Sequence, residues 1–160
     1  LGRLKIRRTV SLELNMQKRA RKASSLDDVI IHLLHRVSQR ADEIFDKEVG
    51  DGDLTPRQFA VLLAVAESED PSQTVVVEAT GIDRSTIADM IKRMAKRGLL
   101  QRRRSRRDAR AYVVRLTETG QRALKSAEPQ AQRAGTAVLA ALNSEQRKAL
   151  VDALKAIVAS

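Results

Sequence analysis

The chain has 160 residues, 42% of them apolar and 2% aromatic, no cysteine, and 30 Lys+Arg against 20 Asp+Glu for a net charge of +10. That apolar content suits one packed domain, or a domain with an oligomerisation appendage, and is too high for a wholly disordered chain. No apolar run approaches the roughly 18 residues of a membrane span, no secretion signal leads the chain, and the missing cysteines exclude disulfides, thiolate zinc sites and thiol-based oxidant sensing, so a cytoplasmic protein without membrane association is expected.

Residues 1–23 read as a basic N-terminal arm: 1–22 hold eight Lys/Arg and one acid, Glu13. A DNA-contacting arm, a dimer strap and a disordered tail all fit this segment. From Ser25 the pattern is helical, with Ser25 as N-cap and Asp28 favouring the helix dipole. Val29, Ile30, Leu33, Leu34, Val37, Ala41, Ile44 and Phe45 form one apolar stripe, and Gly50-Asp51-Gly52 ends the helix. The next helix opens at Thr55-Pro56-Arg57-Gln58, which has the order N-cap, Pro at the first position and Gln at the third, with Leu54 and Phe59 as a hydrophobic staple. Its expected buried face is Phe59, Leu62, Leu63 and Ala66. Residues 67–72 form a loop.

Val75-Val76-Val77 would make 73–80 a strand by propensity alone. After Gly81, Asp83 is a good N-cap for a helix with Ile87, Met90, Ile91 and Met94 at one face. That face, the Met pair included, is expected to be core. The helix ends at Lys96-Arg97-Gly98. Its other face presents Arg84, Ser85, Thr86, Asp89, Lys92, Arg93 and Lys96. Residues 99–117 fit a β-hairpin with a polar turn at 105–110, and the single Tyr112 reads as packing within it. A helix over about 119–142 follows, with a kink expected at Pro129. A last helix begins at Ser144 and carries Leu150, Leu154, Ile157 and Val158. The Ala-rich stretch 121–142 suits a close helix–helix seam, between chains or within one.

Charge is concentrated. Residues 1–22 carry a net +7 and 91–110 a net +9, so with +10 in all the rest of the chain carries −6. Two basic blocks on an otherwise acidic body point to a polyanion partner, and arginine suits phosphate and base edges. The order of elements is that of a winged helix-turn-helix: helices, a tight turn at Gly81, a polar-faced helix that could enter the major groove, and an Arg-tipped hairpin that could reach the minor groove. The expected fold is mainly α with a small β-hairpin wing. It divides into the arm at 1–23, a winged helix-turn-helix DNA-binding domain at 53–118, and flanking N- and C-terminal helices at 24–52 and 119–160.

Thr80-Gly81-Ile82-Asp83-Arg84-Ser85-Thr86, then Ile91-Lys92-Arg93-Met94-Ala95-Lys96-Arg97-Gly98-Leu99-Leu100, then Arg107-Asp108-Ala109-Arg110-Ala111, Leu116-Thr117-Glu118-Thr119-Gly120 and the capped Leu54-Thr55-Pro56-Arg57-Gln58-Phe59 resemble the MarR family of bacterial transcriptional regulators. The resemblance covers about residues 25–158 and makes 73–80 a helix. It implies a homodimer whose terminal helices, at 24–52 and 119–160, intertwine as the dimerisation region, each subunit reading half of a pseudo-palindromic double-stranded operator. Arg84, Ser85, Thr86, Asp89, Lys92 and Arg93 would then lie on or beside the recognition helix at the major groove. Arg110 would be the wing-tip arginine, Asp108 would orient the wing, and Arg104, Arg106 and Arg107 would meet phosphate.

The resemblance also implies a small-molecule effector, an aromatic or phenolic carboxylate or an aryl- or acyl-CoA thioester. His35, Arg36 and Arg40, with His32 one turn before, could hold such an anion. The residues alone favour the plainer reading of one partly buried and one surface histidine. Metal binding is not expected from two histidines. Asp27-Asp28 and Asp51/Asp53 sit at helix ends as caps, and with no nucleophile–base set or phosphate loop, neither an enzyme nor a cofactor is expected. The expected function is a ligand-released repressor. The alternative is an effector-independent basic nucleic-acid-binding or architectural protein, against which the scarcity of aromatic stacking residues counts for single strands and RNA.

Overall fold

A computed structural model describes residues 26–50, 54–105 and 112–160, and the described residues fall into two units divided between Arg40 and Ala41. The described part of the first unit is a 3-10 turn, Leu26–Asp28, and the start of helix α1, Ile30–Val49. The helix therefore opens later than the sequence suggests. Val29 N–H bonds to the Leu26 carbonyl at 3.2 Å, the tighter i→i+3 pattern that often precedes an α-helix. Ser25 lies outside the described residues. Val29, Ile30, Leu34 and Val37, from the early part of the expected apolar stripe, are exposed, as is Ile31 beside them. In the second unit Phe45 and Val49 are buried, and Gly50 stops the helix at a φ of 87°.

Helix α2, Pro56–Glu67, starts with the expected reciprocal cap. Gln58 N–H donates to Thr55 Oγ1 at 3.3 Å, and Thr55 N–H donates to Gln58 Oε1 at 3.2 Å. Leu54 is buried and Phe59 packs against the same cluster, so the staple forms. The buried face differs from the expected one. Val61, Leu62, Ala64 and Val65 are buried, Phe59 and Leu63 are half-buried, and Ala66 is exposed. Neighbours press on α2 from more than one side (α3, β2 and α5 all touch it), so its core stripe is broader and rotated.

Helix α3, Gln73–Thr80, is a helix despite its three valines. Ser72 Oγ accepts from Val75 N–H at 3.3 Å, and Gly81, at a φ of 66°, ends the helix in the left-handed conformation that glycine adopts without strain. Helix α4, Arg84–Lys96, buries Ile87, Met90, Ile91 and Met94, the four residues its periodicity picks out. Strands β1, Leu100–Arg104, and β2, Tyr112–Leu116, pair antiparallel with Leu100 opposite Leu116 and Arg104 opposite Tyr112. Val61, Leu62, Val76, Ile87 and Met94 are fully enclosed at the centre of this lobe.

Helix α5, Glu118–Val138, is capped by Thr117, whose hydroxyl also reaches the Leu99 carbonyl at 3.2 Å. Gly120 lies against that carbonyl so closely that a Cβ would collide with it. The helix runs unbroken through Pro129 and ends at Val138, short of residue 142. Arg147 Nε takes over the exposed carbonyls there, donating to Leu139 at 3.0 Å and Leu142 at 2.8 Å. Ala134 and Ala131 pack on Phe45 and Val49, and Arg133 pairs with Glu48 at 2.9 Å, so part of the alanine seam lies within the chain. Helix α6, Ser144–Val158, has a reciprocal cap between Asn143 and Gln146 and buries none of its residues.

Candidate nucleic-acid interface

Asp83 organises the start of α4. Its Oδ1 accepts the Ser85 hydroxyl at 2.6 Å and Thr86 N–H at 2.9 Å. These hydrogen bonds, the Ser85 hydroxyl's first, hold the carboxyl well below the usual aspartate range. The first turn is thus fixed with a negative charge at the positive end of the helix dipole. Ser85 spends its proton on this cap, which changes its expected role: the hydroxyl can accept from a base edge but does not donate while the cap holds.

Arg84 turns back over α3. One of its terminal nitrogens donates to Thr74 Oγ1 at 3.3 Å, and Gln73 Nε2 donates to the Arg84 carbonyl at 3.2 Å. Thr86 is half-buried. Asp89 and Arg93, one turn apart, pair at 3.0 Å with both side chains mostly exposed. Lys92 and Lys96 continue the exposed face toward the C-terminus. All six proposed α4 contact residues therefore share one helix, and most point away from the core. Four of them, Ser85, Thr86, Asp89 and Arg93, are engaged within the helix or its cap.

The hairpin adds Arg102, Arg103 and Arg104, all exposed. The Tyr112 ring, 47% exposed, is stacked against two guanidiniums, with Arg102 Cζ at 5.0 Å and Arg104 Cζ at 4.7 Å from its centroid. Such contacts hold long cationic side chains over a surface at small entropic cost. Tyr112 is thus less a packing residue than a platform for arginines. The antiparallel register sets Arg104 opposite Tyr112, and Arg102, two residues before Arg104, lies on the same face of the hairpin. Between α4 and the hairpin lies a cleft of about 770 Å³, lined by Lys92, Lys96, Arg102, Gln73, Tyr112 and the apolar Ile91 among others. Sequence reasoning passed over Gln73 and Arg102. Arg106, Arg107, Asp108 and Arg110 lie outside the described residues.

On α1, His32 is half-buried and His35, Arg36 and Arg40 are exposed. His32, Arg36 and Arg40 recur every four residues along one side of the helix. Among the described residues, no three His, Asp or Glu side chains converge as a metal site, and no helix is long and apolar enough to cross a membrane.

A sequence model described as the MarR family matches residues 52–111. The HTH-type transcriptional repressor NicR of Pseudomonas putida is 32% identical over 129 residues, covering 81% of this chain and 82% of NicR. The chain belongs to the MarR family. Solved structures of DNA-binding regulators carry the same architecture. BpsR of Bordetella bronchiseptica, whose DNA binding is regulated by 6-hydroxynicotinic acid, superposes with a TM-score of 0.80 at 31% identity, over 86% of this chain and 98% of BpsR. The repressor CouR on a 23-mer DNA duplex gives a TM-score of 0.73 at 32% identity, over 82% of this chain and 94% of that one. CouR from Rhodococcus jostii with p-coumaroyl-CoA gives 0.74 at 25% identity, over 85% and 96%. The relatives are transcriptional regulators, and this MarR-family chain has their winged helix-turn-helix fold.

Proposed function

We propose that the chain is a dimeric repressor that reads a pseudo-palindromic operator and leaves it when a small aromatic acid, or the CoA thioester of one, binds. The observation that carries this reading is the polar, mostly cationic face of α4 set beside an arginine-bearing hairpin across one cleft. A four-turn helix fits the major groove, and the first-turn residues Arg84, Ser85 and Thr86 stand where base edges are read, with Asp89, Lys92 and Arg93 behind them. The hairpin lies one groove away, with Arg104, Arg106 and Arg107 on phosphate, Arg110 in the minor groove and Asp108 orienting the tip.

Two half-sites about 34–36 Å apart require two copies of α4. The exposed apolar residues of α1 (Ile30, Ile31, Leu34, Val37) and of α6 (Val151, Leu154, Ile157, Val158) are the surfaces a second copy would cover. The ligands of BpsR and CouR are aromatic acids or derived from one, and the guanidiniums and imidazoles of α1 suit that chemistry: His32, His35, Arg36 and Arg40 are the residues assigned to the effector. An effector that binds one spacing of the two α4 helices better than the other lowers operator affinity by that difference alone.

The test starts from a duplex selected out of a random-sequence pool by the wild-type protein. Selective binding of that duplex over random duplex and single strand is expected. Arg110→Ala should weaken it about tenfold or more while the protein stays folded, and each phosphate contact removed should lower the salt slope by about one. A thermal-shift screen of aromatic acids and their CoA thioesters, followed by release of the duplex, then identifies the effector. Equal affinity for all three nucleic acids would overturn the reading in favour of a general basic nucleic-acid binder.

A further inference from the structure

A two-stranded hairpin is marginal by itself and takes its direction from what it is tied to. Three ties meet at the loop before α3. Val114 N–H, in β2, donates to the Pro71 carbonyl at 2.9 Å. The hydroxyl of Ser105, next to the end of β1, donates to Asp70 Oδ2 at 2.7 Å. Arg115, in β2, faces Asp70 Oδ1 at 3.8 Å, and that oxygen is out of solvent and accepts no hydrogen bond among the described residues. Ser105 is itself 8% exposed, a buried polar side chain in an otherwise apolar lobe.

The same loop leads into the helix-turn-helix. Ser72 N–H donates to the Asp70 carbonyl at 2.9 Å, and Ser72 caps α3, which packs on α4. One carboxylate therefore joins both strands of the hairpin to the helices that carry the groove-facing side chains. An acid at the base of an arginine-rich hairpin weakens attraction to a polyanion unless it does something else. Packing alone does not call for a carboxylate there.

We infer that Asp70 is a positioning residue for the wing: it sets the hairpin's direction relative to α4, and so where the arginine tip meets DNA. This rests on the reading of the hairpin as a DNA-contacting wing. Ser105 and Arg115 are its two handles. The hydrogen bond is the shorter and carries more of the effect, since a bond to a charged acceptor outweighs a loose, partly solvated ion pair.

The selected duplex above tests it. Asp70→Ala should weaken binding about five- to tenfold, and Asp70→Asn, which keeps an acceptor for Ser105, should lose about half of that effect on a logarithmic scale. In Asp70→Ala, hydroxyl-radical protection should fade at the outer flanks of each half-site and persist at its centre. Adding Asp70→Ala to Arg110→Ala should cost little more than Arg110→Ala alone, because both remove the same contact. A merely structural role would weaken the footprint evenly and make the two losses multiply, and that result overturns the inference. So does wild-type affinity in Asp70→Ala. Ser105→Ala, which deletes only a hydroxyl, repeats the test should Asp70→Ala fail to fold, with the same flank-selective loss expected and wild-type affinity overturning the inference. If Arg110→Ala itself binds like the wild type, the wing reading fails first, and the inference falls with it.

Discussion

Helices α4 and α6 are alike on paper and opposite in the molecule. They span 13 and 15 residues, each with a side-chain N-cap and an apolar stripe. Helix α4 buries four residues of its stripe inside its own lobe, whereas α6 buries none, and Ile157 and Val158 are 64% and 87% exposed. Periodicity reports that a helix has an apolar face. It does not report whose surface covers it. A face closed by the same chain makes a core, and one left open is what an obligate partner would bury.

The sharpest way to break this contrast is to truncate both stripes. Met94→Ala should cost about 2–5 kcal/mol of stability, as a fully enclosed side chain leaves a cavity. Ile157→Ala should cost almost nothing in a chain diluted to a monomer, and should matter only where subunits associate. Urea melts over a range of protein concentrations distinguish the two. A loss for Ile157→Ala that is large and independent of concentration would mean that the chain covers α6 itself.

The contrast also marks where sequence reading holds and where it stops. The caps at Thr55 and Asp83, the tight turn at Gly81 and the core face of α4 were legible because each depends on residues within one or two turns. Val75, Val76 and Val77 pointed to a strand, yet the segment is a helix: Ser72 and Gly81 cap its ends, and burial of Val76 in the lobe outweighs a weak β preference. The rotation of the α2 core face, which exposes Ala66 and buries Val61 and Val65, depends on neighbours that periodicity cannot see. In the interface, the polar face of α4 was legible, as was the i,i+4 spacing of Asp89 and Arg93, but the engagement of the Ser85 hydroxyl by Asp83 shows only in the geometry. Asp70 was not legible at all, because its partner Ser105 is 35 residues away.

A pair of charges sharpens the comparison from the other side. Leu154→Asp with Ile157→Asp places carboxylates on the open face of α6, where each is solvated in a single chain and desolvated in a dimer. Sedimentation should then move from dimer to monomer at concentrations where the wild type stays associated, and binding to a two-half-site duplex should fall. Helical content contributed by the lobe should persist, since none of its buried residues is touched. Unchanged sedimentation would remove α6 from the dimer surface.

The smallest expected effect concerns the caps. Helix α6 is capped by the neutral amide of Asn143, and α4 by the carboxylate of Asp83, whose pKa the Ser85 hydroxyl and Thr86 hold down. A depressed carboxyl contributes stability that is present above its unfolded pKa, near 3.9 for aspartate, and is lost as pH falls through the lower folded value. Asp83→Ser keeps an N-cap oxygen but has no proton to take up. At neutral pH the variant should melt slightly below the wild type, and below about pH 4 the two curves should converge, because only the wild type loses its cap charge. Asn143→Ser in α6 should run parallel to the wild type throughout. Parallel curves for Asp83→Ser would mean that the charge of the α4 cap adds nothing beyond its hydrogen bonds. The two helices would then differ only in what covers them.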